Sequence, residues 1–153
     1  MKKIILYLIM ATSILGAQLM DGEYSVQQEG YPHGWASTAS IKIEDGKIIE
    51  VTTNKVDIDG ELVSEDVEYN EKMLAKKGTN PKEYSVVLPQ NLMEALKKSH
   101  VMTGESVEKD DFHLPEIDII AGATSSSKKF KKMMEFLVEK AESGETGNHK
   151  MKL

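Results

Sequence analysis

Hydrophobic positions change their period as this chain proceeds. Ile4 to Leu15 is a nearly unbroken apolar run. From Asp21 onward the pattern alternates residue by residue, as along half-buried strands. Asp21-Gly22-Glu23-Tyr24 opens a first strand reaching Glu29, and Gly30-Tyr31-Pro32-His33-Gly34 reads as a turn. Trp35 to Glu44 places Ala39, Ile41 and Ile43 on one face. Asp45-Gly46 is a hairpin turn, and Lys47 to Thr53 is the returning strand.

Beyond the hairpin the period lengthens toward 3.6. Asn54 to Val63 is a polar loop with a turn at Asp59-Gly60. Ser64 is the expected cap of a helix with acids in its first turn, running through Tyr69, Met73 and Leu74 to Lys76-Lys77 and stopping at Gly78. Pro81 suits the start of the next helix, and Pro89 is expected to divide it in two, with Leu92, Ala95 and Leu96 striping the second piece. Val101 to His113 is a charged loop, and Pro115 to Ile120 reads as a short buried strand. The last helix runs from about Ser125 to Glu142, with Phe130, Met133, Met134, Leu137, Val138 and Ala141 along one face. Residues 143–153 form a polar tail expected to fray. The prediction is an α+β fold: a small antiparallel sheet built on a β-hairpin, packed against two or three helices including a long C-terminal one.

At 153 residues the chain fits one domain. Its first apolar run changes the picture of that domain. Met1-Lys2-Lys3 is a basic lead-in, the run spans about a dozen residues against the roughly 20 of a membrane helix, and Gly16-Ala17 is a small-residue stop. Residues 1–17 therefore read as a secretory signal peptide and 18–142 as the working domain. Gln18 stands where a lipidated cysteine would be, and the chain has no cysteine, so an exported, soluble, unlipidated protein is expected, periplasmic or extracellular. Disulfides, thiolate metal sites and cysteine nucleophiles are absent with it. Taking Lys2 and Lys3 from the 19 basic residues leaves 17 against 25 acidic ones, a net charge of −8. That surface disfavours nucleic acid and anionic membrane as partners.

Candidate chemistry concentrates at Asp118-Ile119-Ile120-Ala121-Gly122-Ala123-Thr124-Ser125-Ser126-Ser127. An apolar run ends in Gly-Ala, and a hydroxyl-rich segment opens an amphipathic helix. A helix start with free N–H groups favours a phosphate. Gly122 and Ala123 are also what any tight turn into a helix would need, and Thr124 or Ser125 what any cap would need. Trp35, the single tryptophan, and Tyr31 suit either core packing or a flavin-like ring. Lys128 and Lys129 suit a solvated helix face or a phosphate. Asp57, Asp59, Glu65 and Asp66 lack the spacing of a calcium loop and read as loop and cap. The four histidines lack metal-ligand spacing, and no Ser–His–acid order has local support.

The run from Asp118 to Thr124 resembles the flavinylation motif of FMN-binding domains, such as the C subunit of the sodium-pumping quinone reductase and the G subunit of the Rnf complex. That pattern is Asp, two variable residues, Ser or Thr, Gly, Ala, then Thr or Ser; Ala121 departs from it. The likeness extends in order through Asp21-Gly22-Glu23-Tyr24, Gly34-Trp35, Glu44-Asp45-Gly46-Lys47-Ile48, Asp59-Gly60, Ser64-Glu65-Asp66, Tyr69-Asn70 and Pro81-Lys82-Glu83-Tyr84. It covers about residues 21–142 and is similar to exported single FMN-binding modules of bacteria. The resemblance implies FMN joined through a phosphoester to Thr124 by a magnesium-dependent flavin transferase using FAD. Asp118, Gly122, Ala123, Ser125, Ser126 and Trp35 would complete the cofactor site, and Tyr69, Asn70 and Met73 would share a helical face able to close over the ring. It further implies an electron carrier, not an enzyme, fed by a membrane quinol or an NADH-linked flavoprotein and serving an extracytoplasmic redox partner. A flavin-free binding module and an electron-donor subunit of a flavin-dependent reductase are the alternatives.

Overall fold

The computed structural model describes residues 19–102 and 112–153, with the side chains of residues 100–102 excepted. The proposed signal segment and most of the charged loop lie outside the described residues. Four strands and three helices follow one another: β1 (Gly22–Gln28), β2 (Ala36–Glu44), β3 (Lys47–Val56), α1 (Val67–Lys77), α2 (Pro81–Met102), α3 (Thr124–Ser143) and β4 (Gly147–Met151). The architecture is α+β.

The predicted hairpin is β2–β3. Asp45 and Gly46 both take positive φ, 52° and 73°, as a two-residue turn matched to strand twist requires. Register slips once, between Lys42 and Ile43, leaving Ile49 as the extra residue of a bulge on β3. The sheet order is β3-β2-β1-β4, antiparallel except for β4, which runs parallel to β1. One face carries Tyr24, Val26, Ala39, Ile41, Ile43 and Val51 into the core. The other is polar, with Ser25 bonded to Asn148 and Ser40 to Thr52.

Helices α2 and α3 cover the apolar face. Phe130, Met133, Met134, Leu137, Val138 and Ala141 are all buried, as the spacing predicts. Tyr84, Leu88, Leu92 and Leu96 give α2 its buried stripe. Asn80 caps it by accepting a 2.9 Å hydrogen bond from the Glu83 amide.

Several expectations need correction. Pro89 does not split α2, which is continuous. Burial of Leu88 and Leu92 on either side anchors the helix through the proline, so tertiary packing outweighs the lost backbone bond. Helix α1 is capped by Asp66, whose carboxylate accepts from the Tyr69 amide at 3.0 Å. Ser64 sits in a preceding 3-10 turn and accepts from the Asn54 amide group instead. β3 runs to Val56, three residues into the supposed loop. Asp57 closes the turn after it, accepting from the amides of Asp59 and Glu61.

Pro115–Ile120 forms no strand. It lies along α2 with no strand beside it to pair, and Ile119 is half exposed. The tail does not fray: residues 147–151 are β4, and Met151 and Leu153 pack onto the core. An edge strand with one solvated face needs backbone pairing more than apolar alternation, so its polar composition hid it.

Candidate functional site

The segment leading into α3 is built from the backbone up. Ile120 to Ala123 forms a turn closed by a 2.9 Å bond from the Ala123 amide to the Ile120 carbonyl. Gly122 adopts φ +82°, and a Cβ there would come within 2.2 Å of the Lys77 carbonyl oxygen at the end of α1. Only glycine fits. Ser127, buried one turn into α3, donates to the Ala123 carbonyl at 2.8 Å and accepts from the Ile120 amide at 3.1 Å. The turn is therefore locked from both sides.

The helix begins at Thr124 with Ala123 as its cap position, so no side chain caps it, and its first turn holds no acid. Thr124 and Ser125 are exposed and Ser126 half-buried. A hydroxyl at the first helical position thus faces solvent beside amides without a side-chain partner. Gly122, Ala123, Thr124, Ser125 and Ser126 are consecutive at the start of α3. Asp118, four residues before Gly122, is exposed and lines a depression beside α2 with Asn91, Glu94 and Lys98.

Beside the start of α3 lies a crevice between the end of the hairpin and α2. Its lining includes Ser37, Asn54, Lys55, Tyr84 and Ser126. Lys55 holds its ammonium 5.8 Å from the Tyr84 ring centre. Burial, helped by the like charge of Lys129, pushes its pKa down to about 8. Burial raises the Tyr84 pKa, while a hydrogen bond from Ser126 opposes that rise. Trp35 is half-buried, with its ring centre 5.8 Å from that of Tyr69.

Asn70 does not face this side as a ring contact. It is buried, donating to the Val63 and Asp66 carbonyls at 2.8 and 2.7 Å and accepting from the Lys82 amide at 2.8 Å. Its role is to tie α1 to the start of α2. Lys55, Tyr84 and Ser127 were not singled out as site residues from sequence. Tyr84 stood within the Pro81-Lys82-Glu83-Tyr84 likeness, whereas Lys55 at a strand end carried no local signal.

Fold and site together define a small α+β domain that presents an uncapped, hydroxyl-bearing helix start next to a cationic, aromatic-lined crevice. No family model matches the chain. It is 35% identical to the CPE2226 protein of Clostridium perfringens, whose crystal structure matches it with a TM-score of 0.73 over 88% of this chain and 98% of that one. The chain belongs to the same family as that protein. It is also 26% identical over 138 residues, 86% of each chain, to the 15 kDa lipoprotein of Treponema pallidum (strain Nichols). The 153 residues contain no cysteine. Among the described residues, no helix is long and apolar enough to cross a membrane.

Proposed function

We propose that this protein is an exported FMN-bearing electron carrier whose cofactor is esterified to Thr124. The observation that carries this reading is the start of α3: an exposed threonine hydroxyl on a glycine-dependent, doubly locked turn, with no capping side chain competing for the first-turn amides. The export part is supported by the lipoprotein description of the Treponema relative and by the signal-like Lys2 to Ala17 segment.

The residues present fit the group. Gly122 and Ala123 keep bulk away from Thr124, so a transferase active site can close over the hydroxyl. A threonine hydroxyl is unreactive unaided, so activation falls to the transferase and its magnesium ion. Attachment would form one bond between Thr124 Oγ1 and the FMN phosphorus and break the pyrophosphate of FAD, with AMP as the leaving group and the threonine proton passing to solvent. The amides of Ser125 and Ser126 offer hydrogen bonds to phosphate oxygens. Trp35 and Tyr69, whose ring centres are 5.8 Å apart, would supply aromatic surface for the ring. When bound, FMN would supply electron exchange between an upstream quinol- or NADH-linked donor and an extracytoplasmic acceptor.

Co-expression with a flavin transferase is the test. The expected product is yellow after acid precipitation and heavier by one FMN less one water, and Thr124→Ala abolishes both. Retention of covalent flavin in Thr124→Ala would sink the assigned site. Ala121 favours a second reading, a flavin-free binding module with the same fold. A protein that never acquires flavin with transferase, magnesium and FAD present decides for it. The same cofactor would also serve an electron-donor subunit of a reductase, which co-purification of a flavin-dependent partner would reveal.

A further inference from the structure

Resting on the flavin reading above, we propose that helix α1 is a gate. It opens as a unit while the rest of the domain stays folded, withdrawing Lys77 from the turn before Thr124 and Tyr69 from Trp35. Its length alone makes α1 weak: it has 11 residues. Isolated helices shorter than about 12–15 residues are marginal in water, so stability has to come from packing an apolar face. That face is missing. Asn70 is the only buried residue of α1, and none of its side chains belongs to the hydrophobic core. Val67 and Leu74 are instead 69% and 43% exposed. Helix α3, by contrast, buries a full stripe from Ser127 to Ala141.

What holds α1 is polar and centred on one residue. The Asn70 side chain bonds the Val63 and Asp66 carbonyls and the Lys82 amide, and its own carbonyl accepts from the Asn80 side chain at 3.3 Å. Beyond these, α1 meets its surroundings through the Tyr69 ring against Trp35 and the Lys77 carbonyl against Gly122. Both ends are built as joints. Gly78 takes a left-handed φ of 77°, and the buried Thr79 and Asn80 follow it. At the other end the 3-10 turn Val63–Glu65, anchored by the fully buried Val63, precedes the Asp66 cap. Fixed points therefore stand just outside α1 on each side. Elements held by few buried apolar contacts open below the free energy of global unfolding, and such motions gate access to reactive groups. The end that moves here is the one against Gly122, two residues before Thr124. With α1 closed, the Lys77 carbonyl fills the space beside that turn; with α1 open, a transferase can reach around the acceptor.

Native-state hydrogen exchange of the folded protein at increasing urea separates this opening from global unfolding. Amides of α1 are expected to exchange roughly tenfold or more faster than those of α3, with little dependence on urea. Exchange of both helices at one rate with one urea dependence overturns the proposal. Ile41→Val, a mild loss in the core away from α1, should speed α3 exchange several-fold and leave α1 exchange unchanged. Equal acceleration of both helices overturns separate opening. Asp66→Ala, which removes the α1 cap, should raise α1 exchange and the rate of flavin attachment at Thr124 together, by about fivefold. Ile41→Val should leave attachment at the wild-type rate. Faster α1 exchange in Asp66→Ala with an unchanged attachment rate overturns the gate. If no protein acquires flavin with transferase, magnesium and FAD present, the flavin reading has failed, and the exchange pattern alone then sustains or overturns the opening.

Discussion

The three helices of this domain begin in two different ways. Helix α1 is capped by Asp66 and carries Glu68 in its first turn; α2 is capped by Asn80 and carries Glu83. Both starts satisfy their amides internally and set negative charge against the positive end of the helix dipole. Helix α3 has neither provision, and Lys128 and Lys129 follow its first turn. Its start is fixed from below, by Gly122 against Lys77 and by Ser127 beneath the turn. Two helices spend their first turns on stability, whereas the third is held in place with its amides uncommitted.

Substitutions can press on each side of that contrast. The largest effect is expected at the support of α3: Gly122→Ala must relieve both a positive φ and a 2.2 Å approach to the Lys77 carbonyl. It should cost about 1–3 kcal/mol in urea unfolding. A stability within experimental error of wild type would show that the turn is not locked as described. Next comes Asp66→Ala, which removes the α1 cap and should cost about 1 kcal/mol. Thr124→Ala, at an uncapped start, should cost well below that by the same measurement. Equal losses would erase the distinction between the helices.

A smaller change runs in the opposite direction. Ser125→Asp adds the missing negative charge to the α3 start and should stabilise the fold by about 0.3–1 kcal/mol. In flavin attachment assays it should lower the yield, because the same amides and cations would already be answered. Of a different kind, outside this ranking, is a pH effect from Lys55, whose pKa falls from 10.5 in the unfolded chain to about 8 in the folded one. Between those values the unfolded state binds more protons, so this residue makes stability rise with pH from about 8 to about 10.5. Replacing it in Lys55→Met should flatten that part of the curve measured by urea unfolding, and an unchanged slope would place the titration elsewhere.

Which features were legible follows from the range over which each is determined. The hairpin is encoded by neighbours: alternation in Ala39, Ile41 and Ile43, and Asp45-Gly46 for the turn. Helix α3 announces itself through six apolar residues on one face. Gly122 was legible as a turn residue, but the contact that demands it comes from Lys77, 45 positions earlier. Pro89 was read by a local rule that packing overrode. Strand β4 was missed because parallel pairing with β1 determines it, and polar residues such as Asn148 and Lys150 announce no buried face. The crevice joins Lys55 from a strand end, Tyr84 from α2 and Ser126 from α3, so it exists only once the layers have closed. Local chemistry pointed to Thr124; tertiary structure supplied what surrounds it.

The placement of β4 also bears on when this domain can fold. Tyr24 lies opposite Gly147 and Gln28 opposite Met151, so the first strand gains its second neighbour from residues 123 positions further along the chain. Until those residues pair with it, the β1 edge keeps its row of backbone donors and acceptors open. Contacts of that sequence separation form slowly. The order of closure follows: the β1–β2–β3 meander can form from neighbouring segments, and the fourth strand, with the three helices between it and β3 in the chain, completes the sheet only afterwards.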